Sequence, residues 1–330
     1  MTGRPGWVVG WLCLPLLVAA SPPRNDDAAQ LRALRLVDAR LAGVGYRLAT
    51  ANAALCRDLQ PGTGATLHAL DQYDPALRPA ARQVFGFATP VAVELVVPGS
   101  PADRAGILAD DGVVAIDGAP LSTGDDGAAT DATRDAAAAR IVAAPPTAPL
   151  LLSLTRSGTA RTATVMPVAE CRVGFELLLG PKLVADSDGR QVQIGAAYFA
   201  RYDDDQVAVI VAHELAHVIL RHRVRLEAAG VHWGVLGQLG RSARLFRQTE
   251  DAADQLSVSL LRNAGYDPAI AVRFWLHDIG TLDGGVLHGA THGSSSARAK
   301  AIAAEIASIP ATALTPYVPP VLATRDQPLE

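Results

Sequence analysis

From Val207 to Leu220 the chain is almost uniformly apolar, and Val207, Ile210, Val211, Leu215, Val218 and Ile219 recur at helical spacing. The pattern predicts a central, buried helix, with Asp203, Asp204 and Asp205 as N-cap candidates. Its polar exceptions are His213, Glu214 and His217. A second helix is read over 27–59, where Leu31, Leu34, Val37, Leu41, Val44 and Leu48 fall at threes and fours. Pro61-Gly62, Gly64 and Pro75 break the pattern and make 60–80 a loop. A third helix runs through Leu256, Leu260 and Leu261 to a C-cap near Gly265, with Glu250 and Asp254 on one face. Residues 223–249 show no clear period and carry Gly230, Gly234, Gly237 and Gly240, consistent with a mobile segment over a site. The tail from Pro310, with Pro316, Pro319, Pro320 and Pro328, is expected to be extended or disordered.

Between the first two helices the period becomes strand-like. Val91 to Val97 is β-rich, then come Gly99-Ser100-Pro101-Ala102, Ala105-Gly106-Ile107, and a strand into Asp117-Gly118. Asp131 to Val142 fits a helix; Leu150 to Arg156, Ser157-Gly158 and Arg161 to Val165 fit a hairpin. This stretch resembles the bacterial PDZ domains attached to periplasmic proteases, departing from them at Asp110-Asp111-Gly112. The resemblance implies a groove in which a peptide end adds as a strand and a backbone nest holds its carboxylate. Phe85-Gly86-Phe87 is the expected nest, with a blocked groove as the alternative. Further on, Ser187-Asp188-Gly189 separates Leu183-Val184 from Val192-Gln193-Ile194, and the second run is read as an edge strand beside a cleft.

Composition narrows the setting. A net charge of −4 argues against a nucleic-acid partner. Trp7 to Ala20 is apolar but short for a membrane span, and Val18-Ala19-Ala20 offers a cleavage site before Ser21. An export signal over residues 1–20 is therefore expected, giving a periplasmic or secreted destination, with no transmembrane anchor after cleavage; an uncleaved anchor is the alternative. Removing the signal leaves Cys56 and Cys171, an even pair that suggests a disulfide in an oxidising compartment, with two buried thiols as the alternative.

His213-Glu214-Leu215-Ala216-His217 is an HExxH motif. Two histidines four apart on a helix share a face and can reach one metal ion, and the glutamate beside the first can take a proton from water. A third ligand must come from elsewhere. Leu220 and Arg223 stand where a metzincin carries glycine and histidine, so that class is excluded. Glu250 can complete a His-His-Glu site, and Asp254, four residues on, can fix the tautomer of a ligand histidine. His222 is read as a helix C-terminal residue pointing away from the site. His68 is read as a surface loop residue and His277 as structural; His232 and His288 lie in glycine-rich stretches that could line a cleft.

HExxH with Glu250-x-x-Ala253-Asp254 and Asn263-Ala264-Gly265-Tyr266-Asp267-Pro268 resembles the gluzincin family of HtpX, the CAAX prenyl protease, and the Oma-type and BepA-type peptidases. The resemblance implies one zinc ion on His213, His217 and Glu250, and Glu214 as catalytic base. Thr291-His292-Gly293 to Arg298 is similar to the family's later histidine segment, with Gly293 where proline is usual. It implies His292 at the oxyanion, with Arg298 in support. The fold class expected is α+β: a PDZ-like unit over 81–169 after a helical segment over 21–80, a mainly helical zincin-type metallopeptidase unit with a small edge sheet over 170–309, and a tail over 310–330. The function expected is a zinc endopeptidase acting on unfolded or C-terminally exposed envelope proteins in quality control. The alternative is a periplasmic chaperone or peptide-binding module with little or latent proteolysis.

Overall fold

Helix α1 (Asn25–Ala51) runs along two units, a β-rich one and a mainly helical one. The computed structural model describes residues 25–124, 126–232, 239–278 and 294–330. Leu31 packs with Leu70, Tyr73, Phe85 and Phe87 beside the β-rich unit. Leu41, Val44 and Leu48 enter the core of the helical unit. The helix stops short of residue 59 because buried Asn52 donates from its side chain to the Leu48 carbonyl at 2.9 Å, and Ala53–Leu55 then form one 3-10 turn.

The stretch expected as a loop holds β1 (Leu59–Gly62), β2 (Ala65–Ala69) and the start of α2 (Arg78–Phe85). Pro61 and Gly62 lie within β1 itself, while Gly64 and Pro75 sit in the connections. Gly64 has φ +72, and a Cβ there would lie 2.2 Å from the Ser100 Cβ, so glycine is needed at this corner. Next come β3 (Val91–Val96), α3 (Pro101–Arg104), β4 (Gly112–Ile116), β5 (Ala119–Pro120), α4 (Ala132–Ala143), β6 (Leu150–Arg156) and β7 (Thr159–Val165). They build an antiparallel sheet in the order β2-β3-β4-β6-β7, with β5 beside β4. Alternate residues Val91, Val93, Leu150, Leu152 and Leu154 share a core with Ala137 and Ile141 of α4. Asp117-Gly118 and Ser157-Gly158 both have positive φ at each position, as two-residue hairpin turns require. Asp111 of the departing Asp-Asp pair is buried and takes a fork of bonds from Arg156 at 2.5 and 2.6 Å. β1 pairs instead with β8 (Val168–Cys171), and a Cys56–Cys171 disulfide ties that ribbon to the end of the α1 connection.

The helical unit opens with β9 (Gly174–Leu178), β10 (Ala185–Ser187) and β11 (Gln191–Gly195) in the order β10-β11-β9. The run 192–194 is thus central rather than an edge: the turn at Asp188 pairs it with β10, and β9 takes its other side in parallel. β10 and β9 are the edge strands, and β10 packs against the helix over Asp204–Ile219. Helices α5 (Ala196–Arg201), α6 (Asp204–Ile219), α7 (His222–Ala228), α8 (Gly240–Asn263), α9 (Ala269–Arg273) and α10 (Ser295–Ser308) follow, with a π-helical turn at Phe274–Asp278 after α9. α7 and the first ten residues of α8 occupy the stretch read as aperiodic. In that part of α8 the period is faint because Ser242, Ala243 and Thr249 are buried beside Leu245, the one large apolar residue fully buried there. The proline-rich tail packs on the body. Asn263 donates to the Tyr317 carbonyl at 3.0 Å and accepts from its N–H at 2.7 Å, and Leu329 is buried with Leu226, Val231 and Leu245. No helix among the described residues is long and apolar enough to cross a membrane.

Candidate metal centre

α6 is fixed at its start by a reciprocal cap: Asp203 accepts from the Gln206 N–H at 2.9 Å, and the Gln206 side chain accepts from the Asp203 N–H at 3.0 Å. Val207, Ile210, Val211 and Leu215 are fully buried, so the helix passes through the core. His213 and Glu214 are buried within it. α8 packs against α6 and brings Glu250 and Asp254 to the histidines.

The His213 Nε2 and His217 Nε2 atoms lie 3.2 Å apart. The Glu250 carboxylate reaches His213 Nε2 at 3.2 Å and His217 Nε2 at 3.5 Å. Tetrahedral bonds of about 2.0–2.1 Å would hold their donor atoms roughly 3.3–3.4 Å apart. The two Glu250 contacts are made by different oxygens, Oε2 to His213 and Oε1 to His217, and one ligand atom from each side chain lies within 4.8 Å of the others, so the three could close on one metal ion; they form the one metal-ligating group of this kind found among the described residues.

Each ligand histidine is held by its other nitrogen. His213 Nδ1 lies 3.0 Å from Asp254, and His217 Nδ1 lies 3.0 Å from His222 Nδ1. Asp254 is itself held by Arg298, through Nε at 2.8 Å and Nη2 at 2.6 Å. The Arg298 guanidinium stacks 3.6 Å over the Trp275 ring. Burial would raise the Asp254 pKa, but Arg298 outweighs it and holds the carboxyl at about 2. Burial likewise opposes charge on His213, yet its bonds to Asp254 and Glu250 lift its pKa to about 10. The carboxylates thus draw a positive charge to this point, which a metal ion would supply in place of the proton. Burial pushes the Glu214 carboxyl up to about 7.

His292 and His288 lie outside the described residues, as does most of the glycine-rich segment around Gly234 and Gly237. His232 is exposed just before that segment, and His277 sits in the π-helical turn. Arg298 is placed behind His213, forked on Asp254. His222 differs from its expected position. Arg221 adopts a left-handed conformation (φ +56), so His222 opens α7 and is buried against His217 instead of ending α6. His68 also differs: it lies on β2, is fully buried, and its ring sits 4.4 Å from Phe87 and 5.1 Å from Phe85. Burial, then Arg35, hold its pKa down to about 3.

The Phe85-Gly86-Phe87 nest is overturned. Phe85 and Phe87 are core residues, and the Gly86 and Phe87 N–H groups donate to Arg82 and Phe85 carbonyls at 3.0 and 2.9 Å. The strand that follows, β3, is paired on both sides by β2 and β4. Among the described strands it is β2 that ends the sheet beside α4.

Residues 93–154 match the family model of a PDZ domain, and residues 134–277 match one described as "Putative metallopeptidase domain". The matches overlap at 134–154, which the structure places in α4 and β6 of the sheet unit. No curated protein matches the chain. Site geometry and the two matches support a metallopeptidase that carries a PDZ domain.

Proposed function

We propose that the chain is an exported zinc endopeptidase of the HtpX-like kind, cleaving unfolded or C-terminally exposed envelope proteins recruited by its PDZ unit. The observation that carries the reading is the convergence of His213, His217 and Glu250, with ligand atoms within 4.8 Å of one another, beside buried Glu214. Zinc bound by these three side chains supplies Lewis acidity, polarising a carbonyl and easing the deprotonation of water. Glu214 accepts the proton of the attacking water and passes it to the leaving amine. Asp254 and Arg298 hold the His213 ring in place through its Nδ1. His292 is assigned the oxyanion by the family resemblance alone. The edge of β10 offers an extended substrate a strand to pair with beside α6, and β2 with α4 offers the equivalent in the PDZ unit. The disulfide and the short apolar N-terminal stretch support export.

Glu214→Gln is the decisive variant. It should retain stoichiometric zinc and lose casein cleavage by about 10²–10⁴-fold. Cleavage at the wild-type rate would end the proposed role of Glu214. A wild-type chain that takes up no zinc would end the metal assignment, and one that holds zinc but cleaves nothing would point to the binding-module reading.

A further inference from the structure

β10 is the strand beside α6 that an extended substrate can join, and β11 fixes its hydrogen-bond phase. The Gly195 N–H donates to the Val184 carbonyl at 2.8 Å, and the Asp188 N–H donates to the Gln191 carbonyl at 3.2 Å. In an antiparallel ladder such pairs recur at every second residue. Asp186, which pairs with Gln193 between them, therefore turns its own backbone groups inward. The N–H and carbonyl groups of Ala185 and Ser187 then point outward, where no strand among the described residues meets them. A substrate strand added there in antiparallel sense bonds to Ala185 and Ser187. The substrate residue opposite Asp186 falls in the non-hydrogen-bonded pair, the closer of the two kinds, with Cα atoms about 4.5 Å apart.

Side chains lie in rows across the sheet. Ala185 shares a row with Ile194 and Leu177, on the face that enters the core. Asp186 shares the opposite face with Gln193 and Glu176. The Gln193 amide donates to Glu176 at 2.7 Å. Asp186 is exposed, and no cation among the described residues pairs with it. A substrate strand on β10 lengthens this row by one side chain, set directly beside the Asp186 carboxylate. The row also passes near the reacting groups. Burial is the main cause that raises the Glu214 pKa; His213 opposes it, and the Glu250 and Asp186 charges add to it. Asp186 thus stands within Coulomb reach of Glu214.

We propose that Asp186 is a specificity-determining residue that selects lysine or arginine at the substrate position opposite it. The inference rests on the peptidase reading above, with β10 as the substrate strand. A carboxylate directly across from an ammonium or guanidinium group attracts it, and an acidic side chain at the same position is repelled. A charged edge residue also discourages two molecules from pairing edge to edge. That role is served by a charge of either sign, so reversing the charge separates it from selection.

The zinc-loaded full chain is given a library of unstructured peptides, and the cut bonds are identified by mass spectrometry, which reads each position relative to the cut. Wild type should favour lysine and arginine over aspartate and glutamate at one position, by about 3–10-fold. Asp186→Asn should flatten that position and Asp186→Lys should invert it, and raised salt should shrink the wild-type preference. Preferences are ratios within one protein, so a change in overall rate does not affect them. A second measurement needs no turnover. Glu214→Gln is titrated with capped fluorescent peptides of alternating valine and alanine, carrying lysine or glutamate at one position scanned along the peptide. It should bind the lysine peptide more tightly at one position, and Glu214→Gln with Asp186→Lys should bind the glutamate peptide more tightly there. A basic preference that survives Asp186→Lys, or no charge preference in either measurement, overturns the proposal. A chain that binds with the expected preference but cuts nothing supports Asp186 and ends the peptidase reading instead.

Discussion

Asp254 and Arg298 are the residues that make a histidine into a defined ligand. Asp254 fixes the His213 ring and cannot be uncharged cheaply, because buried Arg298 depends on it. Asp254→Asn keeps the shape and removes the charge. It should lower zinc affinity about 10–100-fold. Leaving a buried guanidinium short of its counter-charge should also cost stability, up to about 3–5 kcal/mol. Chelator competition and denaturant unfolding read the two effects separately. Wild-type zinc affinity in this variant would mean that His213 is oriented by something else. Arg298 illustrates why sequence could name a residue without placing it: the resemblance set it in support of His292 at the oxyanion, whereas it forks on Asp254 behind His213, and its platform, Trp275, comes from a π-helical turn that no local pattern announces. His222 was misplaced because one left-handed residue, Arg221, redirected the chain.

At the scale of elements, α6 was readable because large apolar residues and a good cap agree. Asp203→Ala removes the bond to the Gln206 N–H and should cost about 1 kcal/mol. Zinc affinity should stay unchanged, since the cap lies at the far end of the helix from His217. A thermal melt showing no loss would mean that packing alone holds the helix start. The half of α8 that follows Glu250 was legible from its leucines, whereas the half before it buries small and polar residues and was not. β1 and β2 escaped because Pro61 and Gly62 inside β1, and Gly64 in the turn after it, masked runs of four and five residues. That the run 192–194 is central in the β9–β11 sheet depends on its pairing with β9, and periodicity carries no such information. Phe85-Gly86-Phe87 has the look of a loop motif, but its rings were needed for a core around His68.

The whole molecule is held together by α1. Arg40 donates to the Phe199 and Tyr202 carbonyls at 2.6 and 2.8 Å, Arg47 to the Ala264 carbonyl at 2.6 Å, and Arg35 pairs with Asp110 at 2.6 Å. Between these contacts, Asp38 of α1 meets Glu94 of β3. Burial, then the neighbouring Asp38 charge, push the Glu94 pKa up, towards about 8, against the pull of Arg35; a hydrogen bond to Asp38 keeps the proton on Glu94. Burial raises Asp38 as well. A carboxyl whose folded pKa lies above its unfolded value of about 4.3 binds its proton more tightly in the folded state. Its contribution is therefore fully present below pH about 4, and it is lost as pH rises towards about 8, after which both states are ionised and nothing further changes. Joining of α1 to the sheet should weaken steadily across that window. Glu94→Gln can donate the same bond without titrating. In denaturant unfolding between pH 5 and 8, the wild type should lose stability relative to this variant as pH climbs. Parallel stability curves for the two proteins would show that the pair is ionised throughout and that the contact between the units does not depend on a shared proton.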